Sequence, residues 1–245
     1  MTDANRISHR GLITKDHMKN YIPQTLHDIV FESAAEKFQI DSILDGTLEF
    51  PSSDSMGILL FGLPGTGKTE LARILPSLIE ATRPNGTATP YVQKYDCTSG
   101  QNGVHMLQSI QNSLGCYPIF VGSGLHYVVL DEVDNLTAAA RTQLKSVMGV
   151  SSDAAFILTT NNINELEAPL RSRCIEVSFT PTNPTIWLDR LKMILANENV
   201  EVHTFSDAFL TNLVEKEGFD ARKIMRRLQL AIKFANTNSS TAVAQ

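Results

Sequence analysis

Residues 62–69 read Gly62-Leu63-Pro64-Gly65-Thr66-Gly67-Lys68-Thr69, a complete G-x-x-x-x-G-K-[ST] pattern. Its chemistry is phosphate binding. Glycines let the backbone wrap tightly enough for several N–H groups to point at phosphate oxygens. Lys68 can reach the β- and γ-phosphates of a nucleoside triphosphate, and the Thr69 hydroxyl can take one position on Mg²⁺. The helix that begins here adds its positive end. About sixty residues later, Val128-Val129-Leu130 runs into Asp131 and Glu132. An acid closing a buried strand beside a phosphate loop can hold Mg²⁺ through its water shell, which suits Asp131. Glu132, one residue on and pointing elsewhere, suits a general base that polarises an attacking water. Thr159-Thr160-Asn161-Asn162 closes another apolar run. Asn161 could orient that water or touch the γ-phosphate. An Asn at a strand end also starts turns for purely local reasons, and spacing does not choose between the two.

The elements that must carry these groups show as hydrophobic patterns. Strand-like runs recur at 57–62, 91–96, 126–131, 154–160 and 174–179. Helical patterns separate them, such as Leu136, Ala140, Leu144, Val147 and Met148. This alternation predicts an α/β fold, a parallel five-stranded sheet with helices on both faces. Leu71, Ile74, Leu75 and Leu78 carry the phosphate loop onward as a helix, which Pro76 should end early or kink. Beyond Pro181 three helical segments, near 183–197, 206–217 and 220–236, follow without a strand between them. The chain therefore divides into a polar, mobile segment (1–19), an α/β nucleotide-binding domain (20–180), a small helical domain (181–236) and a polar, disordered tail (237–245). The 115–124 stretch, with glycines around Ile119-Phe120-Val121, has no assignment.

Composition narrows the class. The 245 residues are 42% hydrophobic and 19% charged, ordinary for a soluble globular protein with a real core. A net charge of −5 carries no overall basic field, so any nucleic-acid contact must be local. Cys97, Cys116 and Cys174 are odd in number, far apart and without C-x-x-C spacing. That argues against a disulfide framework or a zinc site and for a reducing, intracellular compartment. The polar N-terminus has no apolar stretch behind it, and no apolar run approaches about 18 residues, so neither a signal peptide nor a membrane span is read. The expected location is the cytoplasm, or the nucleus in a eukaryote.

The order of motifs resembles that of AAA+ ATPases, and most closely clamp-loader small subunits, from about residue 20 to residue 234. Tyr21-Ile22-Pro23-Gln24-Thr25-Leu26-His27-Asp28-Ile29-Val30 is similar to the family's N-terminal segment, which borders the adenine. Asp131-Glu132-Val133-Asp134 resembles its Walker B motif, and Asn161 matches sensor 1. Ser172-Arg173-Cys174 resembles a Ser-Arg-Cys motif whose arginine reaches the ATP of the neighbouring subunit, and Phe219-Asp220-Ala221-Arg222-Lys223 resembles the sensor 2 segment that starts a lid helix. The resemblance implies ATP and Mg²⁺ as ligands. It places Tyr21, Ile22, Pro64, Gly65, Thr66, Gly67, Lys68, Thr69, Glu70, Asp131, Glu132, Asn161 and Arg222 around the nucleotide, with Thr69 and Asp131 on the metal. Lys68, Glu132, Asn161 and Arg222 would act within one chain and Arg173 on the neighbour's ATP, as an arginine finger does. Read without the resemblance, Arg173 is a surface arginine paired to a local acid. Arg222 could equally belong to a solvated basic face with Lys223, Arg226 and Arg227.

The departures matter as much. The family's helical collar domain has no counterpart after residue 236, and Ile22 stands where the family has an arginine. Arg141 stands where clamp loaders carry a glutamine, and Lys145 where they carry a channel-facing basic residue. As i,i+4 neighbours, these two could present one basic stripe to a DNA backbone or form a solvated face. The favoured expectation is a DNA-replication ATPase that self-associates into a pentameric or hexameric ring or spiral. A sliding clamp, a helicase or another replication protein would be its partner. The alternatives are a helicase-loading or protein-remodelling module and a minimal hexameric helicase, although no pore-loop motif supports the last.

Overall fold

All five strand-like runs are strands: β1 (Gly57–Gly62), β2 (Val92–Asp96), β3 (His126–Asp131), β4 (Ala154–Thr160) and β5 (Cys174–Phe179). The structure, a computed structural model, describes residues 21–86, 89–98, 103–115, 122–150 and 153–242. Every strand pair is parallel, and the order across the sheet is β2-β3-β4-β1-β5. β4 is buried along its whole length and β3 up to Asp131, as parallel strands covered on both faces must be.

Side chains alternate between two apolar clusters. On one face Ile58, Leu60, Tyr127 and Val129 meet α1 (Ala34–Leu44) and α2 (Lys68–Ala81). On the other, Leu59, Val128, Leu130, Phe156 and Leu158 meet α3 (Val104–Leu114) and α4 (Ala138–Val150). A short α5 (Ala168–Arg171) precedes β5. The register sets Leu130 beside Leu158 and Leu60 beside Thr159. The carboxyl ends of β1, β3 and β4 therefore converge on one edge, where open α/β sheets bind ligands.

Pro76 does not end α2, which continues to Ala81. Eight of its fourteen residues are buried, among them Leu71, Ile74, Leu75 and Ile79. Burying such side chains is worth roughly 1.5–3 kcal/mol each, against a proline cost of about 3 kcal/mol. Packing therefore overrides the local break.

The remaining helices are α6 (Leu188–Asn197), α7 (Asp207–Lys216) and α8 (Ala221–Ala242). Trp187, Leu191, Leu195, Leu210, Val214, Ile224 and Leu228 form a third cluster among them. α8 runs further than expected, so residues 237–242 are helix rather than disordered tail. Extending an existing helix needs no new nucleus, and the Thr237 hydroxyl donates back to the Lys233 carbonyl at 2.6 Å. The 1–19 segment and the apolar centre of the 115–124 stretch lie outside the described residues. Among the described residues no helix is long and apolar enough to cross a membrane.

Candidate active site

The phosphate loop leaves β1 at Gly62 and enters α2 at Lys68. Two glycines answer to steric demands. Gly62 has φ +134°, and a Cβ there would lie 2.2 Å from the Phe179 carbonyl oxygen of β5. Gly65 has φ +76°, and its Cβ would lie 2.5 Å from the Asp220 carboxylate. Lys68 is almost wholly buried and donates to the carbonyl oxygens of Gly62 at 2.9 Å and Leu63 at 2.6 Å. Burial lowers its pKa to about 8, against the raising influence of Asp131, Asp134 and Glu132. An ammonium desolvated in this way gains from an arriving phosphate more than an exposed lysine would.

Thr69 donates its hydroxyl to both carboxylate oxygens of Asp131, at 2.9 and 3.1 Å. These are hard oxygen donors, few in number and side by side. That suits Mg²⁺, which takes one or two protein oxygens and completes its shell with water and phosphate. Among the described residues no group of three or more His, Cys, Asp or Glu could hold a metal unaided.

Glu132 departs from the strand with φ 57°, a conformation uncommon for a residue with a side chain and one that gathers at functional sites. Its carboxylate and that of Asp131 take different partners, Asn161 and Asn135 for Glu132, Thr69 and Thr159 for Asp131. Asn161, at the end of β4, holds its amide nitrogen 3.5 Å from one Glu132 oxygen, and Asn135 donates to the other at 3.3 Å. Asn161 therefore faces the acid across the cleft rather than only starting a turn. Thr159 links both acids. Its hydroxyl donates to Asp131 and accepts the Glu132 N–H at 2.9 Å. Sequence reading missed Thr159 and Asn135. The strand register alone would have revealed Thr159, because β3 and β4 pair in step.

The same cleft is lined by Tyr21, Ile22, Pro64, Gly65, Gly67, Glu70 and Arg222. Thr66 is buried beneath the loop and donates to the Leu63 carbonyl at 2.8 Å. Glu70 is paired with Arg73 at 2.9 Å. One end of the cleft is apolar, with Ile22, Pro23, Ala221 and Met225, and the other carries Lys68, Thr69 and Glu132. α8 begins against the loop. Asp220 caps it through the Arg222 N–H at 2.9 Å, and the Ala221 N–H donates to the Gly65 carbonyl at 2.8 Å. Two helix N-termini, of α2 and α8, thus open on the cleft, a favourable field for anionic phosphates. Arg222 lines it from α8, is exposed, and has no ion-pair partner among the described residues.

Arg173 is elsewhere. It precedes β5, at the amino-terminal end of the sheet, where its carbonyl accepts from Met56 and Gly57. β1 and β5 run in register from Gly57 beside Cys174 to Gly62 beside Phe179. At about 3.3 Å per residue, roughly 17 Å of strand separates Arg173 from its own phosphate loop. Its guanidinium lies beside Gly149 in the last turn of α4 and donates to the Pro169 carbonyl at 3.1 Å. Among the described residues it is paired with no carboxylate.

Arg141 and Lys145 do not form one free stripe. Arg141 donates to the Asp134 carbonyl at 3.2 Å and lies 4.0 Å from Glu165, which turns it toward the protein. Lys145, one turn on, has no ion-pair partner among the described residues.

A nucleotide-binding α/β protein of the phosphate-loop class, with a helical lid over the cleft, is what this sheet and site define. Residues 58–182 match the family described as "ATPase family associated with various cellular activities (AAA)", and the chain belongs to that family. It is similar to replication factor C small subunit 2 of Pyrobaculum islandicum, 28% identical over 217 residues, covering 87% of this chain and 62% of that protein. It is also similar to replication factor C subunit 5 of Mus musculus, 26% identical over 214 residues, covering 86% of this chain and 59% of that protein. The chain thus spans less than two thirds of these relatives' length. Among solved structures, the RuvB Holliday junction branch migration motor of Thermotoga maritima shares the fold at a TM-score of 0.64 and 19% identity, covering 85% of this chain and 64% of that one.

Proposed function

We propose that this chain is an ATP-hydrolysing subunit of a ring or spiral that acts on DNA during replication, in the manner of a clamp-loader small subunit. Lys68, the loop N–H groups and Arg222 bind the triphosphate. Thr69 and Asp131 would hold Mg²⁺, which would supply positive charge to offset that of the triphosphate. Glu132, oriented by Asn161, accepts a proton as water attacks the γ-phosphorus and the bond to the β-phosphate oxygen breaks. The observation that carries the assembly is the placement of Arg173. It stands at the far end of the sheet, unpaired with any described acid and out of reach of its own cleft, where a neighbouring subunit's site is the one it can complete. The specific ATPase rate should therefore climb with protein concentration, while ATP binding per chain stays constant. A rate per chain independent of concentration across the association range would overturn this reading.

A second reading is favoured by the engagement of Arg141 with Asp134 and Glu165, which leaves less positive surface for DNA. In it, the ATPase positions a protein partner such as a helicase. Salt-dependent DNA binding separates the two. If Lys145→Ala leaves DNA affinity and its salt slope unchanged, the protein-remodelling reading takes precedence.

A further inference from the structure

The apolar end of the cleft is made by residues 21–23, and their three carbonyls are all taken by side chains. Arg190 of α6 donates to the Tyr21 carbonyl at 3.2 Å, Gln24 to that of Ile22 at 3.1 Å, and Arg73 of α2 to that of Pro23. Arg190 is a buried cation, with its side chain 8% exposed. Its second hydrogen bond goes to the Asp28 carboxylate. Asp28 shapes the same turn, accepting from the Gln24 and Thr25 N–H groups and the Thr25 hydroxyl, each at 3.0 Å. Burial alone would raise the Asp28 pKa, but these donors and Arg190 hold it below the usual carboxylate range. One residue past α6, Glu198 accepts the Tyr21 phenol. Helix α6 and the residue after it thus grip this wall at several points, whereas the lid meets the phosphate loop only through the start of α8. Arg190, Asp28 and Glu198 do not line the cleft.

We propose that Arg190 is a positioning residue for recognition of the nucleotide base, holding the 21–23 wall to the lid through Asp28 and the Tyr21 carbonyl. It does not touch the nucleotide. This rests on the ATP-site reading above and goes beyond it by assigning support of the base end of the cleft to an ion pair between Arg190 of the lid and Asp28 of the 21–28 segment. The planar fork of arginine serves two acceptors at once, which lysine cannot do. Arg190→Lys should keep the Asp28 pair and lose the bond to Tyr21, whereas Arg190→Met loses both.

The test is calorimetric titration of wild type, Arg190→Lys and Arg190→Met with ATP and with inorganic tripolyphosphate, which fills only the phosphate end. Arg190→Lys should weaken ATP binding about tenfold, the scale of one charge-assisted hydrogen bond, and leave tripolyphosphate within about twofold. Arg190→Met should lose more ATP affinity in the same selective pattern. If Arg190→Met does not fold, Arg190→Lys decides alone. Equal losses on both ligands, or no loss on ATP, overturn the assignment. Wild-type protein binding neither ligand would overturn the ATP-site reading itself.

Discussion

Replacing Thr159 by valine should weaken the fold and the active site together. The side chain is 1% exposed and the exchange nearly conserves volume, so no cavity forms and the loss is that of the hydroxyl. That hydroxyl makes two hydrogen bonds. It donates to the Asp131 carboxylate, and it accepts the Glu132 N–H at 2.9 Å. A bond to a charged group contributes about 1.5–3 kcal/mol, and a part-buried N–H such as this, left without a partner, costs up to about 2 kcal/mol. Both bonds belong to one network, so they do not add fully, and about 2–4 kcal/mol is expected. For a chain of this size each kcal/mol shifts Tm by about 2–4 °C, so Thr159→Val should melt roughly 5–15 °C lower. Thr159→Ser keeps both bonds and loses one methyl, a cost of about 1 kcal/mol. Urea denaturation of the two variants, with ATPase rates beside it, reads the difference. Valine should be the less stable and the less active. A valine variant within about 0.5 kcal/mol of the serine variant would refute the bridging role of the hydroxyl.

Two further outcomes concern groups away from the cleft. Glu80 is fully buried and accepts from the Ser123 N–H at 2.9 Å, the Ser123 hydroxyl and the Tyr127 phenol at 2.9 Å. Glu80→Ala should therefore cost roughly 3–5 kcal/mol by denaturation, while Glu80→Gln costs less. Burial pushes the Cys97 and Cys174 thiols up to about 12. Because only the thiolate reacts and a raised pKa keeps the thiol protonated, alkylation of both at pH 8 should run at least about a hundredfold slower in native than in unfolded protein. Peptide mass mapping after a timed pulse of iodoacetamide checks this.

Much of the fold was legible because apolar period and phosphate-loop spacing are local properties. The five strands follow from runs such as Ile58-Leu59-Leu60-Phe61, and the start of α8 follows from Asp220 as a cap. What stayed hidden depends on tertiary neighbours. Pro76 reads as a helix breaker until the apolar face of α2 is set against the sheet. Thr159 becomes meaningful only when β3 and β4 are in register. Arg190 meets Asp28 across 162 residues of sequence, and no short-range pattern announces that pair. The basic pair Arg141 and Lys145 also depends on its neighbours. Their i,i+4 spacing is correct, yet Glu165 and the Asp134 carbonyl draw Arg141 away.

Subunit mixing tests most directly whether Arg173 acts on a neighbour's ATP. Arg173→Ala and Lys68→Ala should each hydrolyse ATP poorly alone. In an equal mixture, about a quarter of the interfaces would pair an intact Lys68 with an intact Arg173 from the adjoining chain, and activity should return in that proportion. A mixture no more active than the sum of its parts, from chains shown to co-assemble, would contradict the account.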